Sequence, residues 1–252
     1  RAGLADVVIT HAPSLEGRFV AGGFSYEPFG RALFYSDYVI VGPRDDPAHV
    51  ARDAPNDAVR AFEAIAAAGA AGHAVDFVSR GDDSGTNVQE QVMWGLTHTV
   101  PKALSATHGT DTTRSAPWDG TTYAAWYHQT NVGQAANLNQ AAACPFTSGR
   151  CYTILDRGTF NRARLAGTIP NLRIVSQHNG LAARGGGELL LNPFHAYVVD
   201  PLAVKAGPPV DTAAATRFVD FLTSAPFQDA VATYPTASDP AFHPDAFPLL
   251  TV

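Results

Sequence analysis

Short apolar segments alternate with amphipathic segments along most of the chain, and this alternation constrains the fold more than any other sequence feature. VDFVS, which ends at Ser79, is short and rich in β-branched and aromatic residues, as buried strands are. NDAVRAFEAIAAAG has the apolar period of a helix, with Asn56 or Asp57 as its N-cap and Gly69 at its end. Repetition of such pairs predicts an α/β fold.

The remaining elements are predicted from the same signals. Further strands are predicted in ADVVIT, LFYSDYVIVG, CYTIL, LRIVS and ELLLNPFHAYVVDP. Further helices are predicted in SGTNVQEQVMWG, DRGTFNRARLA, DTAAATRFVDFLTSA and PFQDAVATY, and one long helix in TTYAAWYHQTNVGQAANLNQAAA (121–143). Thr97 to Asp119 are predicted to form a polar insertion.

Charge and hydropathy exclude several classes of protein. The formal net charge of -6 argues against a nucleic-acid or anionic-membrane surface, because both need a basic face. No apolar run reaches the roughly 18 residues that cross a bilayer. The opening residues, RAGLADVVIT, lack the pattern of a signal peptide, so we expect any export signal to lie outside this chain.

The two cysteines, Cys144 and Cys151, flank a loop-like segment with Pro, Ser and Gly. We predict a disulfide between them and therefore an oxidising compartment; two unpaired thiols in a reducing compartment are the alternative. Their spacing fits neither a zinc site nor a CxxC redox motif. The histidines, among them His11, His128 and His195, form no HxxxH or HExxH pair, so we predict no metal ion and no cofactor.

The segment FVSRGDDSGTNVQEQVMW (77–94) joins a predicted strand to a predicted helix and is unusually rich in hydrogen-bond donors. A helix N-terminus presents free N–H groups and a positive dipole end. Arg80 adds a cationic fork, Ser84 and Thr86 add hydroxyls, and Gly85 allows close approach, so these four residues predict an anion site. The alternative is structural: Asp83 or Ser84 caps the helix and Arg80 pairs with an aspartate.

An enzyme is the second hypothesis, because GDDSG is similar to the segment around the nucleophile of trypsin-like serine hydrolases. Ser84 would then need a histidine within hydrogen-bond reach, an acid and an oxyanion hole. No GxSxG motif occurs in the chain. We therefore predict that the protein is not an enzyme.

Five segments together resemble one known family: ADVVITHAP, SDYVIVGPRDDPA, FVSRGDDSGTN, YTILDRGTF and LLLNPF. They resemble the periplasmic tungstate-binding proteins of ABC transporters, which are class II periplasmic binding proteins near the molybdate and phosphate binders. The resemblance implies two α/β lobes joined by crossover strands, which close on an extracytoplasmic oxyanion and deliver it to a membrane permease. It also implies that Arg80, Ser84, Gly85 and Thr86 face the ligand.

The resemblance also implies where the lobes lie. We expect lobe one in residues 1–43 and 196–252, and lobe two, with the RGDDSGT segment, in residues 44–195. Members of this family begin with a strand, a Thr/Ser-rich turn and a helix before the segment that matches ADVVIT. We therefore expect an incomplete first lobe here: either the sequence is a fragment or naturally shortened, or a second chain completes the lobe.

The sequence is compatible with two kinds of oxyanion ligand. RGDDSGT also fits the RxDxSGT pattern of phosphate-binding proteins, in which an aspartate accepts the proton of hydrogen phosphate. If Asp82 or Asp83 points into the site, phosphate is favoured; if both cap or pair elsewhere, the proton-free tungstate or molybdate fits better. The wider resemblance favours tungstate or molybdate.

Overall fold

The chain forms two compact units and passes between them twice. The computed structural model describes residues 3–72, 74–106, 113–118, 120–146, 149–236 and 240–246. Unit 1 comprises Arg1–Ser36 and Asn192–Val252, and unit 2 comprises Asp37–Leu191. For comparison, the sequence-based expectation placed the lobe boundaries after residue 43 and after residue 195. No helix in the described ranges is both long and apolar enough to cross a membrane.

Helices and strands alternate as the α/β pattern predicts. The strands are β1 (Val7–Thr10), β2 (Arg31–Pro43), β3 (Asp76–Ser79), β4 (Lys102–Ala106), β5 (Thr113–Pro117), β6 (Tyr127–Gln129), β7 (Cys151–Asp156), β8 (Leu172–Ser176), β9 (Leu191–Val198) and β10 (His243–Pro244). The α-helices are α1 (Pro13–Ala21), α2 (Val50–Asp53), α3 (Ala58–Ala70), α4 (Gly85–Leu96), α5 (Gln134–Ala143), α6 (Arg157–Leu165), α7 (Thr212–Leu222) and α8 (Ala225–Thr233).

Unit 1 contains an antiparallel sheet with helix α7 packed on it. Strand β1 pairs with β9, with Val7 opposite Val198 and Thr10 opposite His195. The short β10 pairs with the first half of β2. Side chains from β2, β9 and α7 form the core, namely Leu33, Ala196, Val198, Ala215, Val219 and Leu222.

Unit 2 contains a mixed sheet that is covered on both faces. Strand β2 pairs antiparallel with β7 and β8, while β3 runs parallel to both β7 and β6. Adjacent residues of β3 point to opposite faces, so Phe77 packs in one core with Phe62 and Trp94, and Val78 packs in another with Leu138. Helices α3 and α4 supply the first core, and α5 and α6 supply the second.

The predicted helix over residues 121–143 is wrong in its first half. Tyr127–Gln129 form strand β6, and α5 begins only at Gln134, after the N-cap Gly133. Tyr127 lies opposite Phe77 of β3, and the threonine and aromatic residues of this first half, unlike the alanine-rich second half, favour a strand. Asn131 then adopts φ 54°, a left-handed conformation that cannot continue a helix.

Several further elements differ from the sequence expectation, and α2 and β10 are among those that were not predicted. The polar insertion contains an antiparallel pair, β4 and β5, with Lys102 opposite Pro117; residues 107–112 and 119 lie outside the described ranges. Helix α1 was not predicted, although Pro13 stands in its first turn, where proline is favoured.

The predicted disulfide is confirmed. Cys144 follows α5 and Cys151 begins β7, with their Cα atoms 5.5 Å apart. Both residues are buried in the second core of unit 2. The bridge therefore ties the end of α5 to the strand on which that helix packs.

Candidate functional site

The candidate site lies in unit 2, where β3 gives way to α4. Gly81 and Asp83 adopt φ values of 62° and 60°, and these two left-handed residues turn the chain away from the sheet. A Cβ on Gly81 would lie 2.9 Å from the Cβ of Gln129, so glycine is required there. Ser84 is the N-cap of α4, and its hydroxyl oxygen accepts a hydrogen bond from the Asn87 N–H at 3.3 Å.

Arg80 and Asp82 form an ion pair at this turn. The Arg80 guanidinium donates to Oδ2 of Asp82, and the Asp82 Oδ1 accepts from the Ser84 backbone N–H at 3.2 Å. Partial burial acts to raise the pKa of Asp82, but hydrogen bonds from Ser84 and the charge of Arg80 outweigh it and hold that pKa below its ordinary value. Asp82 is therefore an ionised carboxylate whose oxygens face Arg80 and the start of α4.

The Arg80 guanidinium has donors that Asp82 does not satisfy. One terminal nitrogen donates to Oε1 of Gln134 at 3.1 Å. The Nε atom is buried and has no hydrogen-bond partner. A buried donor without a partner costs about 1 to 3 kcal/mol, so an acceptor that reached Arg80 Nε would be stabilised.

Thr86 presents its hydroxyl to the same place. Its Oγ1 donates to Oε1 of Gln134 at 2.5 Å, and the side chain also contacts the hydroxyl of Tyr38. Burial, followed by the charge of Asp156, raises the pKa of Tyr38 well above its ordinary value. Tyr38 therefore stays protonated beside Thr86.

Gln134 connects three helix N-termini and was missed by the sequence analysis. It is the first residue of α5, and its Nε2 donates to the Thr159 hydroxyl at 3.2 Å. Thr159 in turn bonds Asp156, the N-cap of α6. The DRGT segment (156–159) therefore lies beside the RGDDSGT segment (80–86). Gly133 is the N-cap of α5, but it lies in the middle of the helix that was predicted over residues 121–143. Gln134 was therefore not recognised as the first residue of a helix.

The arginine of the DRGT segment is directed elsewhere in unit 2. Arg157 Nε donates to Oδ1 of Asp37 at 2.8 Å, and a terminal nitrogen donates to Oε1 of Gln177 at 2.9 Å. This ion pair joins the start of α6 to β2. Arg80 is therefore the arginine of these two segments that meets Thr86 and Gln134.

A buried carboxylate holds α4 against the sheet behind the candidate site. Glu90 accepts hydrogen bonds from the hydroxyls of Ser79 and Tyr127, both at 2.7 Å, and from the indole N–H of Trp94 at 3.1 Å. Burial raises the pKa of Glu90, although these bonds oppose the rise. The cluster fixes the first turns of α4 relative to β3 and β6.

The structure does not support a nucleophilic role for Ser84. Its hydroxyl oxygen is engaged as the helix N-cap, and its side chain also bonds Asp82. Within the described ranges, no histidine ring forms a hydrogen bond with Ser84. The base that a serine hydrolase requires is therefore not placed at this serine by the described part of the chain.

Unit 1 contains a separate buried polar cluster around Glu16. One carboxylate oxygen accepts from the Ala12 N–H at 2.8 Å; the other lies 2.8 Å from Nδ1 of His195 and accepts from the Tyr197 hydroxyl at 3.0 Å. Nearby, Nδ1 of His11 lies 2.8 Å from Oδ1 of Asn192. These histidines have specific structural partners.

One group of side chains in the described ranges has the composition of a metal site. It consists of Asp76, Cys144 and Cys151, all buried. The two sulfurs are joined in the disulfide and offer no thiolate, so this group is not arranged to hold a metal ion. Asp76 instead lies 2.8 Å from Nε2 of His128.

Two compact α/β units between which the chain passes twice define the architecture of a periplasmic binding protein of type II. Residues 1–226 match the family model described as "PBP superfamily domain". The chain belongs to the PBP superfamily.

Individual relatives agree with this assignment. A Haloferax volcanii protein named "Putative ABC transporter anion-binding protein" is 32% identical over 246 residues, which cover 98% of this chain and 59% of that relative. The tungstate-binding protein TupA of Campylobacter jejuni is 25% identical over 244 residues, 96% of this chain and 73% of its own. The structure of TupA from Desulfovibrio alaskensis G20 aligns with a TM-score of 0.66 and 29% identity, over 96% of this chain and 80% of its own. The predicted resemblance to tungstate-binding proteins is confirmed.

Proposed function

We propose that this chain is an extracytoplasmic solute-binding protein that captures a tetrahedral oxyanion, tungstate or molybdate, for the membrane permease of an ABC importer. The names of its relatives support the ligand class and the transporter. The observation that carries the proposal is the convergence of two donors, the Arg80 guanidinium and the Thr86 hydroxyl, beside the start of α4. The disulfide supports an oxidising compartment outside the cytoplasm.

We propose that Arg80, Ser84, Gly85 and Thr86 bind the anion. The first N–H groups of α4 have no partner within the helix, and they carry the positive end of its dipole. Gly85 stands at the first helical position and leaves those N–H groups uncovered by a side chain. Arg80 adds charge-assisted hydrogen bonds, while Ser84 and Thr86 contribute hydroxyls. Binding of this kind requires no catalytic group, metal ion or cofactor.

The position of Asp82 favours a proton-free oxyanion over hydrogen phosphate. Its oxygens are occupied by Arg80 and by the Ser84 N–H, and its pKa is lowered, so it is a poor acceptor for the phosphate proton. Asp83 is exposed. Tungstate and molybdate share charge and shape, so the proposal covers both. The expectation that a second chain completes the first lobe stays a prediction.

Titration calorimetry with the purified chain tests the proposed function. Tungstate, molybdate and phosphate are titrated separately, and native mass spectrometry counts the bound ions. We expect one tungstate or molybdate per chain and an affinity at least roughly tenfold above that for phosphate, a difference of about 1.4 kcal/mol. Tighter binding of phosphate would contradict the choice of ligand, and no binding of any of the three would contradict the oxyanion proposal.

A further inference from the structure

Gln134 places one neutral oxygen where two donors of the candidate site converge. Its Oε1 accepts from Thr86 Oγ1 at 2.5 Å and from Arg80 at 3.1 Å. A guanidinium has only donors, so the oxygen of the amide, and not its nitrogen, must face Arg80. The amide nitrogen correspondingly donates to the Thr159 hydroxyl at 3.2 Å.

The Thr86 hydroxyl and the Arg80 guanidinium bind Gln134 Oε1 in the way that they would bind an oxygen of an oxyanion. Thr86 and Arg80 are two of the donors that the proposed function assigns to the ligand. In the structure both are satisfied by an oxygen of the protein itself, while Arg80 Nε is left without a partner. A ligand oxygen that takes these donors must therefore replace Gln134 Oε1.

We propose that Gln134 is a specificity-determining residue that competes with the ligand for Arg80 and Thr86. This inference rests on the proposed function. Hydrogen bonds from the two donors to a charged oxygen are stronger than those to a neutral amide, so a dianion displaces the amide oxygen. A neutral solute gains nothing from the same exchange. Gln134 thereby raises the charge that a ligand must carry to bind.

The surroundings of Gln134 allow it to release the two donors. It is only partly buried, and it stands at the N-terminus of α5 rather than inside the helix. Its neighbour Gly133 has no side chain, and an added Cβ there would meet no atom within 4 Å. The Gln134 side chain can therefore turn about its own torsions while α5 stays in place.

Two substitutions with opposite expected effects test the inference in the full chain. Gln134→Ala removes the competing oxygen and its two hydrogen bonds from the ligand-free state. Sodium tungstate should therefore bind at least about three- to tenfold more tightly, which is the effect of one neutral hydrogen bond alone. Gln134→Glu places a carboxylate against Arg80, so tungstate should bind roughly a hundredfold more weakly. Gln140→Ala, an exposed glutamine on the same helix, is the matched control and should leave the affinity unchanged.

Calorimetry gives the affinities, and circular dichroism with thermal unfolding shows that each variant is folded. Weaker or unchanged tungstate binding by Gln134→Ala would overturn the inference. Weaker binding would mean that Gln134 itself donates to the ligand, and unchanged binding would mean that it does not compete with the ligand. If Gln134→Ala does not fold, unchanged affinity in Gln134→Glu overturns it instead. If the unaltered chain binds no tungstate, the proposed function fails first, and the inference fails with it.

Discussion

At the scale of single residues, buried charges in unit 1 have specific partners, and one of these pairs makes stability depend on pH. The hydrogen bond to Glu16 raises the pKa of His195; partial burial opposes the rise, and the charges of Glu16 and Asp245 add to it. A folded-state pKa above the unfolded value of about 6.5 stabilises the protein fully below that value. This stabilisation is lost as the pH rises through the folded-state pKa.

We therefore predict that His195→Gln costs more stability at about pH 6 than at about pH 9, because the protonated imidazole is the form that Glu16 binds more strongly. Urea unfolding of the protein and the variant at a series of pH values gives the difference in free energy of unfolding. A difference that is constant with pH would show that the His195–Glu16 contact is not charge-assisted.

At the scale of elements, the helix N-termini connect stability with binding. Asp57 caps α3 by accepting from the Arg60 N–H at 3.0 Å, and Ser84 caps α4 in the same way. Loss of either cap should cost about 1 kcal/mol of stability. Only the cap of α4 belongs to the proposed anion site.

Ser84→Ala and Asp57→Ala therefore form a matched pair. Both should lower the free energy of unfolding by about 1 kcal/mol, but only Ser84→Ala should weaken tungstate binding, by roughly tenfold, because it also removes a ligand donor. Chemical denaturation and calorimetry measure the two effects. Equal tungstate affinity in both variants would remove the Ser84 hydroxyl from the site.

The disulfide is attached at the end of α5, the helix that begins with Gln134. Cys144 and Cys151 are seven residues apart, and closing so short a loop should contribute about 2.5 kcal/mol in the chain-entropy model. The paired change Cys144→Ala with Cys151→Ala should lower stability by at least about this amount, and the unaltered protein, denatured without reductant, should show no free thiol. Two labelled thiols, or an unchanged free energy of unfolding, would contradict a stabilising bridge.

The sequence predicted those elements whose signals are local. Asp57 and Ser84 mark helix starts, and they cap α3 and α4 in the structure. Strand β6 depends on pairing with β3, far along the chain. Its aromatic residues favour a strand, but the alanine-rich segment that follows them led to the prediction of one continuous helix. The contact between Arg80 and Gln134 was not predicted either, because these residues lie 54 positions apart in the sequence. The sequence therefore identified Arg80 and Thr86 as candidate donors, but not Gln134, the residue that accepts hydrogen bonds from both.

At the scale of the whole molecule, the net charge opposes the proposed ligand. The chain carries a formal charge of -6, so an approaching dianion meets a weakly repulsive field and must be held by local donors. Arg80 is the cation at the start of α4, and its side chain is only 15% exposed. Its charge is therefore less screened than that of a surface arginine.

The central claim is that Arg80 binds the oxyanion, and titration calorimetry with tungstate tests it most directly. Arg80→Ala removes charge-assisted hydrogen bonds of about 1.5 to 3 kcal/mol, so tungstate should bind roughly ten- to a hundredfold more weakly. The variant also loses the ion pair with Asp82 and should be less stable, so circular dichroism must show that it is folded. Arg60→Ala, an exposed arginine on α3, should keep the affinity of the unaltered protein. Equal tungstate affinity in Arg80→Ala and Arg60→Ala would contradict the account.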